Sequence, residues 1–197
     1  MTFNIKNNNT IEENYQQGLL PQRNKKDLWY QQSSCRSNLN NFELNSENRR
    51  ILRKTDTLTF EKINLKDFQY TPQFQKKIFT WAKELNWDFP VSSIKNIFNS
   101  HIFNQLYIWK DENGQEIAYS LCYFSPEISH IAYVFYNPQY QNNNLSIRLV
   151  LQFIIDSQQL NLKYSYLGRF SDSIGYYKRT MPGFEYFKDS QWLPYKK

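Results

Sequence analysis

An Asn113-Gly114 turn between two strand-like runs constrains this chain most. Leu106-Tyr107-Ile108-Trp109-Lys110 lies before it and Glu116–Phe124 after it. Asn-Gly supplies the left-handed residues that a tight hairpin requires, so the two runs pair antiparallel. His130–Tyr136 (HIAYVFY) reads as a third consecutive strand, closed by Asn137-Pro138.

Helices frame this meander. Thr71 caps a helix over Pro72–Leu85, with Pro72 at its first position and Phe74, Ile78, Trp81, Ala82 and Leu85 on one face. A shorter helix is predicted over Ser92–Phe98. Leu145–Gln158 is another, with Leu145, Leu149, Phe153 and Ile154 turned inward. Upstream, Asp27–Leu44 reads as extended. Asn45 or Ser46 then caps a helix ending at Lys54, its acid in the first turn and its bases later, which suits the helix dipole. Strands are expected at Thr57–Ile63, Tyr164–Phe170 and Phe184–Phe187, and a short helix at Ser173–Lys178. With no repeat and no linker, residues 1–197 read as a single domain, its first 14 residues a loose end.

Composition narrows the chemistry. Zinc sites need about four clustered ligands, and the two cysteines and two histidines here are scattered along the chain, so no metal is expected. No window approaches the ~18 apolar residues of a membrane span. The N-terminus has no signal-peptide core, so a cytoplasmic location without membrane contact is expected. The net charge of +6 is uneven: residues 1–66 and 140–197 each carry +4, and 67–139 carry −2. Basic ends suit a polyanionic partner, although solvated lysines on a +6 chain are also ordinary.

The order of elements resembles that of the GNAT acyltransferases. The resemblance implies an α/β (α+β) fold with a mixed central sheet and helices on both faces. A CoA-dependent member would carry a glycine-bearing loop after HIAYVFY, its backbone N–H groups cradling the pyrophosphate. Here that loop, Pro138–Ser146, has no glycine, which weighs against acetyl-CoA as donor. Asn can still adopt the left-handed conformation such a turn uses.

A second resemblance is carried by Gln17-Gly18-Leu19-Leu20-Pro21, Leu28-Trp29-Tyr30, an Arg-containing strand (Arg36) and Ser46-Glu47-Asn48-Arg49-Arg50-Ile51-Leu52-Arg53. Phe135-Tyr136-Asn137-Pro138, Tyr164-Ser165-Tyr166-Leu167-Gly168 and Tyr177-Lys178 extend it. Together these resemble the arginyl-tRNA–protein transferases and their bacterial leucyl-transferring relatives. Several positions depart from that pattern. Only Cys35 remains of an N-terminal cysteine cluster, Asn137 replaces an Asp, and Asn144-Leu145-Ser146 replaces Ser-Leu-Gly. Arg169-Phe170 stands where aromatic residues are usual.

The resemblance implies aminolysis of an aminoacyl-tRNA ester by the α-amine of a protein or peptide N-terminus, with Arg or Leu transferred. The tRNA would be co-substrate, and no cofactor is required. Such chemistry needs positioning and an oxyanion site more than a strong base. Tyr136, Tyr166 and Tyr177 are the candidate catalytic hydrogen-bonders. Arg36, Arg49, Arg50, Arg53, Lys54, Asn144, Arg148, Gly168 and Lys178 are candidates for tRNA or substrate contact. Plainer roles compete: Arg49–Lys54 as a solvated helix face, Tyr166 as core, Asp156 as a surface charge, and His101 and His130 as structural or exposed. Two other functions stay open, a CoA-dependent GNAT N-acetyltransferase and a diverged RNA- or protein-binding relative.

Overall fold

In the computed structural model the chain is built around an eight-stranded mixed sheet. The structure describes residues 4–5, 8–25, 28–171 and 175–195. In chain order the elements are β1 (Asn4–Ile5), α1 (Ile11–Gln16), β2 (Leu19–Pro21), β3 (Trp29–Gln31), β4 (Ser34–Asn38), α2 (Ser46–Lys54) and β5 (Thr59–Asn64). Then come α3 (Pro72–Glu84), α4 (Val91–Phe98), β6 (Gln105–Lys110), β7 (Glu116–Phe124), β8 (Ile128–Tyr136) and α5 (Leu145–Gln159). The chain continues through β9 (Tyr164–Arg169), a 3-10 turn at Tyr176–Thr180, β10 (Phe184–Lys188) and β11 (Gln191–Pro194). The large sheet runs β11-β10-β4-β9-β8-β7-β6-β5, and β1-β3-β2 form a small second sheet.

The mixed sheet with helices on both faces is present as expected. β6 shows how sequence makes two cores: Leu106 and Ile108 pack toward α3 and α4, while Tyr107 and Trp109 pack toward α5. Period-two alternation sends neighbours to opposite faces, and both faces are covered, so the four central residues of β6 are all apolar or aromatic. The expected helix after Thr71 is α3, capped by the Thr71 side chain and buried through Phe74, Ile78, Trp81 and Ala82. Among the described residues no helix is long and apolar enough to cross a membrane.

Four expectations need correction. The stretch called a loose end contains the start of α1, closed by a Thr10–Glu13 capping box that leads directly to the fully buried Tyr15. The extended stretch is two strands, β3 and β4, ending in a 3-10 turn at Leu39–Asn41, and Asp27 lies outside the described residues. The helix placed at Ser173–Lys178 is the 3-10 turn at Tyr176–Thr180, and Ser173 lies outside the described residues. Asp156 is no surface charge. It is 4% exposed, and its carboxylate accepts from Tyr107 Oη (3.0 Å) and Gln152 Nε2 (2.7 Å) and pairs with Lys62 (2.7 Å).

Candidate active site

β8 and β9 run parallel and pair only through Ile128–Tyr164, Ser129–Ser165 and His130–Tyr166. Beyond that seam they part. Against β7, Leu121 faces Tyr133 and Cys122 faces Ile131, so Ala132 of β8 is an extra residue. Against β4, Cys35 faces Gly168 and Arg36 faces Tyr166, so Leu167 of β9 is an extra residue. A bulge bends its strand and increases its twist, and here two of them lie where the strands separate.

A cavity opens on each side of the parting. One, of about 470 Å³, is lined by Arg23, Tyr30, His130, Tyr133, Gly168 and Arg169. The other, of about 370 Å³, lies against α5 and is lined by Trp87, Tyr136, Ser146, Leu167, Tyr177 and Lys178. Ala132 lines both. The two cavities thus lie on opposite faces of the sheet, one on each side of the parted strands.

The polar groups at its centre are buried. His130 Nδ1 lies 2.7 Å from Tyr15 Oη, while Nε2 has no hydrogen-bond partner among the described residues. Burial, with a smaller push from the Lys178 charge, lowers the imidazole pKa to about 3. Tyr15 is wedged against Trp29 and Tyr166, with ring centroids 5.2 and 4.9 Å away. Lys178 Nζ donates to the carbonyls of Leu167 (2.6 Å) and Arg169 (3.0 Å), and burial pulls its pKa below the usual lysine value. Between them sits Gly168, at φ +75°. A Cβ placed on it would lie 3.7 Å from His130 Nε2 and 4.0 Å from Lys178 Nζ. Burial raises the phenol pKa values of Tyr136 and Tyr177 on the α5 side.

The residues singled out in the sequence fall into three places. Tyr136, Tyr177, Lys178 and Gly168 line the two cavities. Arg49, Arg50, Arg53, Lys54 and Asn144 line neither. Asn45 and Asn48, which cap α2, both donate from their side-chain amides to the Thr180 carbonyl (3.0 and 3.2 Å), tying the basic helix to the turn that carries Tyr177 and Lys178. Arg49 donates to the Leu44 carbonyl (2.5 Å) and Arg50 pairs with Glu47, whereas Arg53 and Lys54 are exposed. Lys54 and Asn144 share a further hollow of about 480 Å³ near the start of α5.

Tyr166, Arg36 and Arg148 are elsewhere. Tyr166 is 1% exposed, supports Tyr15, and lines neither cavity. Arg36 is buried in an ion pair with Glu185 (2.7 Å), its guanidinium 3.6 Å from the Tyr164 ring centroid and 4.2 Å from that of Trp192. Arg148 was expected to meet a phosphate or an acidic N-terminus. Instead it stacks over Trp109 at 5.4 Å and donates to Gln152 Oε1 (2.5 Å), which connects it to Asp156. The positions overlooked are Tyr15, Arg23, Tyr30, His130, Tyr133 and Arg169. His130 was noticed only as structural or exposed, and nothing in a lone strand histidine marks it as facing a cavity.

No protein-family model matches the chain, and no curated protein matches it. Solved structures do resemble it. FemX aligns over 92% of this chain and 67% of its own, at 10% identity and a TM-score of 0.58. The GCN5-related glucosamine N-acetyltransferase region of a fungal multi-domain β-N-acetylglucosaminidase aligns over 79% of this chain and 19% of that one, at 12% identity and 0.50. The fold is the GNAT fold. A C-terminal domain assigned to a lysylphosphatidylglycerol synthetase from Agrobacterium fabrum aligns over 73% of this chain, at 14% identity and 0.50. The GNAT-fold chain described here spans about half (49%) of that protein's length.

Proposed function

We propose that this chain transfers an aminoacyl group from charged tRNA to the α-amine of a protein N-terminus. The observation that carries the reading is the pair of cavities on opposite faces of the parted strands, one of them lined by Tyr177 and Lys178 from the turn that α2 holds through Asn45 and Asn48. The aminoacyl ester would enter on the α5 side, past Tyr136 and Tyr177, with the tRNA backbone over Arg53 and Lys54. The amine would enter opposite, past Tyr30, Tyr133, Arg23 and Arg169. Among the described residues no carboxylate lines that cavity. Its positive field disfavours an ammonium, holding the attacking amine neutral, and favours an acceptor with an acidic first side chain. The likeness to a domain of a lysylphosphatidylglycerol synthetase, a name that denotes an aminoacylated product, supports aminoacyl transfer on this fold. So does the sequence resemblance to arginyl-tRNA–protein transferases.

One observation favours a second reading. Asn144, just before α5, is left-handed (φ 57°, ψ 15°), which supplies without glycine a backbone geometry that a pyrophosphate-binding loop uses. A CoA-dependent N-acetyltransferase would use it. The deciding experiment is incubation with total charged tRNA and peptides beginning with Asp, Glu, Lys, Arg or Leu, read by mass spectrometry. An aminoacyl mass increment, largest on the acidic N-termini, is expected. No increment on any peptide sinks the transferase reading. Thermal stabilisation by CoA in its place supports the acetyltransferase, and tRNA binding without transfer leaves a diverged binding protein.

A further inference from the structure

We propose that His130 is a catalytic electrophile, its Nε2–H held toward the gap at Gly168 to receive the carbonyl oxygen of the acyl donor. The role rests on the transferase reading above.

The argument begins at Tyr15. Its hydroxyl is fully buried, and its hydrogen bond is to His130 Nδ1 at 2.7 Å. A buried hydroxyl proton without an acceptor is costly, so the proton points at Nδ1. A neutral imidazole that accepts at Nδ1 carries its own proton on Nε2. That nitrogen is therefore a donor. It is itself buried and without a partner among the described residues, on the wall of the cavity. Such a donor calls for a partner, which a water, an ion or a bound ligand can supply.

His130 and Gly168 line the same cavity. Gly168 presents no side chain there, and the position a Cβ would take is flanked by His130 Nε2 and Lys178 Nζ. Two of the three Lys178 protons go to the carbonyls of Leu167 and Arg169, on either side of Gly168. The imidazole N–H and the Lys178 amine thus lie on the two sides of the parting. Burial holds the imidazole neutral at physiological pH, so it acts as a donor and not as a proton store.

In the step itself the amine nitrogen bonds to the ester carbonyl carbon, and the carbonyl π pair moves onto oxygen. His130 Nε2–H and Lys178 stabilise that oxyanion. Its collapse breaks the bond from carbon to the ribose oxygen, and the proton lost by the amine ends on the released ribose hydroxyl. Donors placed where charge develops change kcat more than KM.

The test compares the full-length chain with His130→Ala, His130→Gln and Tyr15→Phe, using charged tRNA and an acidic N-terminal peptide. His130→Ala should lower kcat about 10²- to 10³-fold with little change in either KM. His130→Gln, which keeps an amide donor, should restore part of the loss. Tyr15→Phe, which releases Nδ1, should lower kcat with the histidine still present. Nitrogen NMR of the wild-type imidazole at neutral pH should show the Nε2–H tautomer, a readout that does not depend on activity or on the folding of any variant. An Nδ1–H tautomer overturns the proposal, as does an active wild type whose folded His130 variants keep their kcat. A wild type that transfers nothing while showing the Nε2–H tautomer overturns the transferase reading, and the catalytic role falls with it.

Discussion

At the scale of single residues, His130 ties the cavity it lines to stability. Its folded pKa of about 3 lies below the ordinary 6.5, so between those values the unfolded chain takes up a proton that the folded chain does not. Its contribution to stability is therefore complete above pH 6.5 and is lost as the pH falls toward 3. The loss runs at about 1.4 kcal/mol per pH unit. Urea midpoints of wild type and His130→Phe at pH 7, 6 and 5 check this. The wild-type stability should fall toward the variant's with each step of acid, and parallel pH profiles would refute it. Little at this scale was legible in the sequence. Tyr136, Tyr177, Lys178 and Gly168 stand in recognisable runs, and the structure brings them to the two cavities. His130 carries no such signal, because its surroundings are created by Tyr15, 115 residues away in the chain. Arg36 and Arg148 lie away from both cavities. A guanidinium in the sequence suggests an external anion, and here Glu185 and the Gln152–Asp156 chain supply the partners internally.

At the scale of elements, α2 is fixed by its N-terminus. Asn45 accepts from the Asn48 backbone N–H (2.8 Å), and the Asn48 side chain accepts from the Asn45 N–H (3.2 Å), a reciprocal cap. The same two amides hold the Thr180 carbonyl, so the cap also anchors the turn bearing Tyr177 and Lys178. Asn45→Ala should cost about 1 kcal/mol by chemical denaturation and reduce transfer by more than the unfolded fraction explains. Unchanged denaturation would show the cap to be idle. Helices such as α2 and α3 were legible because caps and apolar periodicity are local signals. The hairpin joining β10 to β11 was not. Its two-residue turn uses Asp189 and Ser190 at φ 49° and 60°, a left-handed pair that sequence reading expects from Asn-Gly or Asp-Gly. The bulges at Ala132 and Leu167 were equally hidden, because an extra residue in a strand pair exists only in relation to the partner strand.

At the scale of the molecule, charge decides what approaches and from where. The basic ends of the chain meet in the fold, since β4 lies between β9 and β10 and α2 packs against α5. Arg50 of α2 is paired with Glu47, whereas Arg53 and Lys54 are exposed cations, as is Arg49 with its hydrogen bond to the Leu44 carbonyl. Binding of deacylated tRNA should therefore weaken steeply with salt. In Arg53→Ala/Lys54→Ala the slope of log affinity against log salt should become shallower by about 2. Fluorescence titration from low to moderate salt measures it, and an unchanged slope would move the tRNA contact off α2. The sheet has a consequence in folding time as well. β5 through β8 form an unbroken antiparallel run, needing only contacts between strands adjacent along the large sheet and in sequence. β4 must find β9, more than a hundred residues downstream, before the remaining half can assemble. Closing so long a loop is entropically costly and brings slow, non-local pairing. The pairing of β4 with β9 is thus the boundary between early and late structure, and the cavity between Tyr30 and Gly168 is completed only when the two ends of the chain have met.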